Sequence, residues 1–356
     1  MMNDQHMYSE EVLNGKRLLG DAPADNFIKA VFADSEKKQQ LHQWMASASG
    51  DNAVGSLQTI FPDFAFINAA QELPAWANAG LMETGSAFFT RYSEMIMSLL
   101  GLLSLPYCYT AANGTMVLYI SELIRKQTTK RLYDTAIFVW DVMAPDAFAK
   151  NGNAYHQILK VRIMHAAVRY YTLQSGKWNN AWGVPINQED MAGTNLSFSL
   201  IVLRGLRMLG FNISQSDQEA FLHTWAVIGH LTGLNENLIP ENQKTGDELD
   251  AAIKRRQFCA SSHGKELTES LIAHIMAVNK SKATADDILG LMRYLLGNDI
   301  ADMLAIKAGE LPGYKLTLIR TFNLLKSYIP QRNVHQNYRR AYIAFKAQSQ
   351  ELIKSA

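Results

Sequence analysis

Apolar residues recur at helical spacing along almost the whole chain of 356 residues. Alternation of apolar and polar positions, which is typical of half-buried strands, is nearly absent. No internal repeat with a period of about 20–50 residues stands out. The pattern therefore predicts an all-α fold with one large core. The predicted helices cover residues 9–19, 25–32, 34–45, 64–71, 85–103, 112–126, 131–142, 156–171, 188–209, 216–231, 265–276, 283–296, 299–308, 314–328 and 334–352.

One apolar, uncharged run, Met95 to Ser121, is long enough to raise the question of a membrane span. Pro106 lies near its middle, and proline interrupts a helix because it lacks the amide hydrogen. A span needs about 20 predominantly apolar residues in one helix. We therefore interpret the run as two buried helices that meet at Leu105-Pro106, and we expect no transmembrane segment.

The composition of the chain changes after Pro240, because the segment from Glu241 to Lys254 is polar and charged. We expect residues 1–245 to form the main helical core and residues 246–356 to form a C-terminal helical region packed on the same core. A separate small lobe is the alternative, and the sequence does not decide between them.

Composition narrows the class of protein. Hydrophobic residues make up 48% and charged residues 19%, which is typical of a globular protein with a sizeable core. The net charge of +1 argues against nucleic acid as a partner. Cys108 and Cys259 do not form a disulfide framework, and the polar N-terminus lacks a signal core, so a cytoplasmic location is expected. The tail from Tyr338 to Lys346 mixes cations with aromatics, for which a solvated helix face is the expected role.

Several familiar catalytic patterns are absent from the sequence. A di-iron carboxylate bundle needs Glu-x-x-His on two helices, whereas Glu219 and His223 form a single Glu-x-x-x-His. Cys-x-x-Cys and His-Glu-x-x-His zinc spacings, a Walker loop, Gly-x-Gly-x-x-Gly and Gly-x-Ser-x-Gly are also missing.

The most informative stretch runs from Lys130 to Arg169, and its second segment extends from Lys160 to Arg169. Arg162, His165 and Arg169 lie at positions i, i+3 and i+7, so they share one helix face. Neighbouring cations disfavour imidazolium, which keeps His165 neutral, as a metal ligand must be. The arginines then need anions, either carboxylates of the chain, such as Glu189 or Asp190, or those of a cofactor. The competing interpretation is a histidine that is simply buried in the core.

Five segments together resemble the haem-dependent oxygenase family of latex-clearing proteins and MpaB-type oxygenases, which cleave prenyl chains. They occur in family order across about residues 60–240. The segments are Arg131-Leu-Tyr-Asp-Thr135, Arg162-Ile-Met-His-Ala-Ala-Val-Arg169, Trp182-Gly-Val-Pro-Ile-Asn-Gln-Glu-Asp-Met-Ala-Gly-Thr194, Gly205-Leu-Arg-Met-Leu-Gly210 and Trp225-Ala-Val-Ile-Gly-His-Leu-Thr-Gly-Leu234.

The resemblance implies haem b bound in a pocket of the helical core, with His165 as the axial iron ligand. It places Arg131 and Thr135 on the distal side of the pocket. Where rubber-cleaving enzymes can place a distal lysine, this chain has Asp134. This departure disfavours a lysine-ligated closed state and rubber as the substrate. Asp134 could be a distal acid, a partner of Arg131 or a residue that faces away, and of these we expect pairing with Arg131.

The resemblance also implies roles for the residues around the cofactor. Arg162 and Arg169 would lie within reach of the haem propionates, and an acceptor is expected for the second ring nitrogen of His165. His230 would contact a propionate or a distal water, although a core hydrogen bond is the common role of such a residue.

The resulting functional hypothesis is a haem-b-dependent oxygenase that activates O2 toward a small lipophilic substrate, of the alkene or prenyl type. Two alternatives stay open at this point. One is a peroxidase-like or hydroxylating haem enzyme that acts on a small metabolite. The other is a non-catalytic haem sensor or a helical scaffold without a cofactor.

Overall fold

The structure, a computed structural model, describes residues 7–47, 53–121, 128–150, 152–329 and 333–355. Within these ranges the regular elements are helices, apart from one isolated antiparallel bridge between Ala111 and Phe258. The predicted all-α fold is confirmed. The α-helices are α1 (Glu10–Arg17), α2 (Ala22–Phe32), α3 (Ser35–Ala46), α4 (Ala53–Ile60), α5 (Ala65–Asn68), α6 (Ala79–Leu99), α7 (Leu105–Tyr109), α8 (Ala112–Ile120), α9 (Thr128–Val142), α10 (Ala154–Gln174), α11 (Gln188–Phe198), α12 (Leu200–Met208), α13 (Gln215–Leu231), α14 (Gln243–Gln257), α15 (Ser262–Val278), α16 (Ala285–Leu296), α17 (Asn298–Met303), α18 (Gly313–Ser327) and α19 (Val334–Ser355).

The chain around Pro106 differs from the prediction. Helix α6 continues through a π-helical turn, Leu100–Ser104, directly into α7, so the two buried helices do not meet at a break. Pro106 lies in the first turn of α7, where its missing amide hydrogen costs least. A π-turn just before it absorbs the local mismatch in hydrogen bonding. The helical path ends after Tyr109.

Other boundaries depart from the sequence prediction for local reasons. The predicted helix 188–209 is two helices, separated at Ser199, whose φ of −113° and ψ of −82° are not helical. Helix α14 was not predicted, because its first two turns are largely polar. Its N-terminus is nevertheless stabilised by a capping box between Asn242 and Thr245.

Most of the buried apolar side chains form a single cluster that extends over the whole fold. Phe27, Phe89 and Val227 contribute to it from the first part of the chain, and Leu267 and Met292 contribute from beyond residue 245. A smaller cluster lies between α1, α11 and α14. None of the helices in the described ranges is long and apolar enough to cross a bilayer.

The central contact of the core joins α6 to α13. A Cβ atom at Gly85 would lie 2.7 Å from the carbonyl oxygen of Ala220, so glycine permits the close approach of the two backbones. Behind α13 and α6, helices α9 and α10 pack side by side. This arrangement brings the two segments with candidate chemistry, 131–135 and 162–169, to neighbouring helices.

Candidate active site

Helix α10 holds the histidine that the sequence analysis singles out. Its apolar residues Ile158, Leu159, Ile163 and Ala166 are buried in the core, which fixes the rotation of the helix. His165 lies deep in the fold, yet its side chain retains some accessible surface. We infer from both properties that the ring borders an internal space rather than bulk solvent.

The imidazole of His165 is neutral and has an unsatisfied nitrogen. Its Nδ1 atom is buried and has no hydrogen-bond partner among the described residues, so the expected second acceptor is not present there. Burial, followed by the positive charges of Arg169 and Arg131, lowers the pKa of His165 from 6.5 to about 3. The ring therefore keeps a free lone pair at neutral pH, which is the form that binds metals.

Arg131, on α9, is the second component of this internal space. Its charge acts on the pKa of His165, which places the guanidinium near the imidazole. It forms no ion pair with a carboxylate in the part of the chain that the structure describes. Burial lowers the pKa of Arg131, and the nearby Tyr109 and Asp134 counteract that effect.

The other two residues of the predicted distal segment have their hydrogen-bond partners on α9 itself. The Thr135 hydroxyl donates to the carbonyl oxygen of Arg131 at 3.0 Å, one helical turn back. Asp134 is exposed, and its carboxylate lies 2.7 Å from the ammonium of Lys130. The expected pairing of Asp134 with Arg131 is therefore wrong, because α9 turns this carboxylate toward solvent.

The two arginines that flank His165 find anions within the protein. Arg162 donates two hydrogen bonds to Asp21, from Nε at 2.6 Å and from Nη2 at 3.0 Å. Arg169 donates from Nε to Asp25 at 2.6 Å and from Nη1 to the carbonyl oxygen of Ile186 at 3.1 Å. Its Nη2 atom is buried and has no partner among the described residues. Arg169 thus retains one donor for a further anion, whereas Arg162 is bound bidentately to Asp21.

The carboxylates of α11 do not serve these arginines. Glu189 accepts from Arg17 at 3.2 Å and from Arg256 at 2.7 Å, and Asp190 accepts from Arg17 at 2.9 Å. The expectation that Glu189 or Asp190 would pair with Arg162 or Arg169 is therefore wrong. The N-terminal helices α1 and α2 supply the other partners, which sequence spacing could not indicate.

His230, on α13, lines the same surface clefts as Arg162, and His165 is not among the lining residues of those clefts. The Nδ1 atom of His230 lies 3.3 Å from the carboxylate of Glu236, and its ring contacts the edge of Trp76 with 5.8 Å between centroids. Arg162 and His230 line two adjacent surface clefts of about 280 Å³ and about 430 Å³. The charges that act on the pKa of His230 are those of Glu236 and Arg162.

Tyr109 is a site residue that sequence reasoning missed. It is 1% exposed, and its hydroxyl is buried without a partner among the described residues. The charge of Arg131 acts on its pKa, which burial raises strongly, so the phenol keeps its proton. Next to it, burial raises the pKa of Cys108 to about 11, and the thiol contacts the Ser197 hydroxyl at 3.0 Å. The run that contains them appears only as core in the sequence.

The described residues contain no group of three or more His, Cys, Asp or Glu side chains arranged to hold a metal ion. His165 would thus be a lone protein ligand, and any metal that it binds must bring other ligands. A metallated macrocycle meets this requirement, and its acidic substituents would suit the free Nη2 donor of Arg169.

Comparisons with known proteins identify relatives in sequence and in fold. The chain is 27% identical over 244 residues to the rubber oxygenase of Streptomyces sp. (strain K30), a match that covers 68% of this chain and 60% of the relative. The chain thus spans about 60% of the length of that curated relative. A solved structure of latex clearing protein in the closed state superposes with a TM-score of 0.77 and 22% sequence identity, covering 91% of this chain and 90% of that one.

Because the latex clearing protein structure is only 22% identical to this chain, the superposition shows a shared fold and nothing more specific. The family model goes further, because it matches residues 89–322, which include α9, α10 and α13. The chain therefore belongs to the family described as the catalytic domain of the ER-bound oxygenase mpaB/B' and rubber oxygenase.

Proposed function

We propose that this chain is a haem-b-dependent oxygenase that acts on a small lipophilic substrate of the alkene or prenyl type. The observation that carries the proposal is the neutral, buried and unpartnered His165 in a family of oxygenase domains. The residues present fit haem b in three respects. One histidine has a free nitrogen, one buried guanidinium has a free donor, and Arg131 has no carboxylate partner among the described residues.

In this proposal His165 would hold the cofactor and Arg169 would bind one of its carboxylates through Nη2. Haem b, when bound, supplies an iron centre at which O2 is activated. The chain supplies the environment. A neutral His165 donates its lone pair without first releasing a proton, because its pKa is lowered to about 3.

The remaining residues would set the polarity of the pocket. Arg131 would stabilise negative charge that develops next to it, an effect that is stronger in a site with little water. Tyr109 would remain a hydrogen-bond donor, because burial keeps its phenol protonated. Phe138 and Met164 are partly buried on α9 and α10 and would give the substrate an apolar surface.

Asp134 bears on the choice of substrate. Because it faces solvent and pairs with Lys130, it would neither ligate the cofactor nor contact the substrate. We therefore propose a pocket without a side-chain ligand from this position, accessible to O2 and to small ligands such as imidazole. Short isoprenoids are the proposed substrates, and polyisoprene is the comparison to test beside them.

The first experiment is the absorption spectrum of the purified protein after reconstitution with haem b. We expect a Soret band at one haem per chain, and His165→Ala should lose it while retaining its helical circular dichroism. His156→Ala is the matched control, since His156 is a second buried histidine of the same helix and should leave haem binding intact. Full haem retention by His165→Ala would contradict the assignment.

The second experiment concerns the reaction. The haem-loaded protein is incubated with a panel of isoprenoids under O2 and under argon, and the products are analysed by mass spectrometry. Oxygen-dependent carbonyl products from short isoprenoids are expected. A haem-loaded protein that yields none would favour the sensor, whereas absence of haem binding would favour the scaffold.

A further inference from the structure

Helix α18 (Gly313–Ser327) is packed with its polar side inward. The residues it buries are Asn323 and Ser327. Asn323 donates to the carbonyl oxygen of Leu209 at 2.9 Å, and the Ser327 hydroxyl accepts from the amide of Asn212 at 3.1 Å. The helix is therefore attached to the core by these hydrogen bonds and by the partly buried Ile319, and most of its large apolar side chains lie on the outside.

These outer side chains form one stripe. Its members, which we call the α18 stripe, are each between 61% and 66% exposed. They are Tyr314, Leu318, Phe322, Leu325 and Ile329, at successive spacings of four, four, three and four residues. Such spacing keeps Tyr314 to Leu325 on one face of α18 over about 17 Å, and Ile329 follows just beyond the end of the helix. Single exposed apolar residues are ordinary, but an aligned row indicates a surface that binds an apolar partner.

The sequence that carries the α18 stripe is strongly one-sided in charge, although Lys315 pairs with Asp287 at 2.6 Å and Lys326 lies 3.7 Å from Glu94. Residues 311–350 contain seven Lys or Arg and no Asp or Glu, although the whole chain has a net charge of only +1. The rest of the chain accordingly has 27 basic and 33 acidic residues. Arg320, Arg339, Arg340 and Lys346 are exposed. The basic, aromatic tail noted in the sequence is thus next in the chain to an exposed apolar helix face.

This combination distinguishes between two occupants. A second copy of the chain would cover the apolar side chains, but it would bring a second set of cations against the first. An anionic lipid bilayer satisfies both features, because apolar side chains enter the interface while Lys and Arg contact the headgroups. We propose that the α18 stripe and the cations of α19 bind the protein to the surface of anionic membranes.

This inference does not depend on the proposed oxygenase function. It concerns a different surface, and its test has no catalytic readout. If both hold, the membrane would be the phase from which a lipophilic substrate is drawn.

The test is sedimentation of the full chain with vesicles of phosphatidylcholine alone or with added phosphatidylglycerol. We expect binding only to the anionic vesicles, and weaker binding as salt rises, because salt screens the headgroup attraction. Leu318→Gln with Phe322→Gln should lower the partition coefficient at least about tenfold, since two apolar side chains no longer enter the interface. Arg339→Gln with Arg340→Gln should lower it and reduce its dependence on salt.

Leu18→Gln is the matched control, because Leu18 is 68% exposed but lies at the end of α1. It should bind as the wild type does. Wild-type protein that stays in the supernatant with anionic vesicles would overturn the proposal. So would a wild-type dimer that Leu318→Gln with Phe322→Gln dissociates, if vesicle binding is absent, because the stripe would then join two copies of the chain.

Discussion

Two regions that touch α10 differ in how their buried polar groups are paired. In the first, which we call the ionic network, Arg17, Arg162 and Arg256 each reach a carboxylate at 2.6–3.2 Å. In the second, the pocket that His165 faces, the Nδ1 atom of His165 and the hydroxyl of Tyr109 have no partner among the described residues.

The difference shows where the sequence of this chain favours stability and where it favours binding. A buried polar group without a partner costs about 1–3 kcal/mol, so a native protein retains few of them. The ionic network avoids most of this cost, although Nη2 of Arg17 and Oε1 of Gln257 have no partner among the described residues. It joins α1 and α2 to α10, α11 and α14. The pocket leaves polar groups without a partner among the described residues, as expected of a site that takes up a bound group. Each of the following predictions tests this contrast.

The largest effect is expected within the ionic network. Glu189 has no exposed surface and accepts hydrogen bonds from Arg17, Arg256 and Gln257. Glu189→Gln removes the negative charge and leaves two buried guanidinium groups less compensated. The free energy of unfolding should fall by about 3–5 kcal/mol, measured by urea denaturation. Haem binding per folded chain should not change, and a loss of haem without a loss of stability would place Glu189 in the pocket instead.

A smaller effect is expected where the backbone meets the same network. Gly183 has φ +86° and ψ −156°, and a Cβ there would lie 2.3 Å from the carbonyl oxygen of Arg17. Gly183→Ala should cost about 2–3 kcal/mol, since strain and crowding add. Gly176→Ala is the control, because Gly176 has φ +67° but open space, and it should cost about 1 kcal/mol. Equal losses in the two variants would show that packing against α1 contributes nothing.

How far the sequence predicted these regions depends on whether the signal is local. Helical periodicity is local. It placed the ends of two helices at residues 209 and 231, within one residue of the observed ends, which precede Gly210 and Gly233 with φ of +89° and +94°. The π-turn before Pro106 was not predicted, because a proline can follow either an interruption of the helix or a wider helical turn. The choice depends on the tertiary packing of the residues before it.

The site shows the same limit. The order of motifs in the sequence indicated the family, and helix periodicity brought Arg162, His165 and Arg169 together. No local pattern in the sequence indicated which residues far away in the chain would pair with these side chains. Asp21 lies 141 residues before Arg162, and Tyr109 carries no motif that would link it to Arg131. The outward direction of Asp134 depends on the rotation of α9, which one helical turn of sequence does not fix.

A third prediction asks whether burial alone makes a histidine of α10 neutral. Burial, followed by the charge of Lys160, lowers the pKa of His156 to about 4. As pH falls below about 6.5, His156 therefore binds a proton in the unfolded chain but not in the folded chain. The contribution of neutral His156 to the free energy of unfolding is therefore complete above pH 6.5. It is lost as pH falls toward 4, by at most about 1.4 kcal/mol per pH unit.

Urea denaturation of the wild type and of His156→Gln between pH 4.5 and 7 would measure this contribution, in a range set by the reference value of about 6.5. The variant should show the shallower dependence of stability on pH. His42→Gln is the control variant, because His42 is an exposed histidine on α3. An unchanged slope for His156→Gln would mean that burial outside the pocket does not set the charge of this histidine.

The smallest effect is expected at Asp134, which lies outside both regions. Its carboxylate pairs with Lys130 on the exposed side of α9, with side chains 57% and 64% exposed. Such pairs contribute about 0–1 kcal/mol. Asp134→Lys should lower the free energy of unfolding by no more than that and leave the spectrum of the haem-loaded protein unchanged, because a side chain on this face does not reach the pocket. Asp134→Asn serves as the control for loss of the ion pair alone. A shift to a low-spin spectrum in Asp134→Lys only would show that position 134 can reach the iron, and the separation between a solvent-facing Asp134 and the pocket would have to be abandoned.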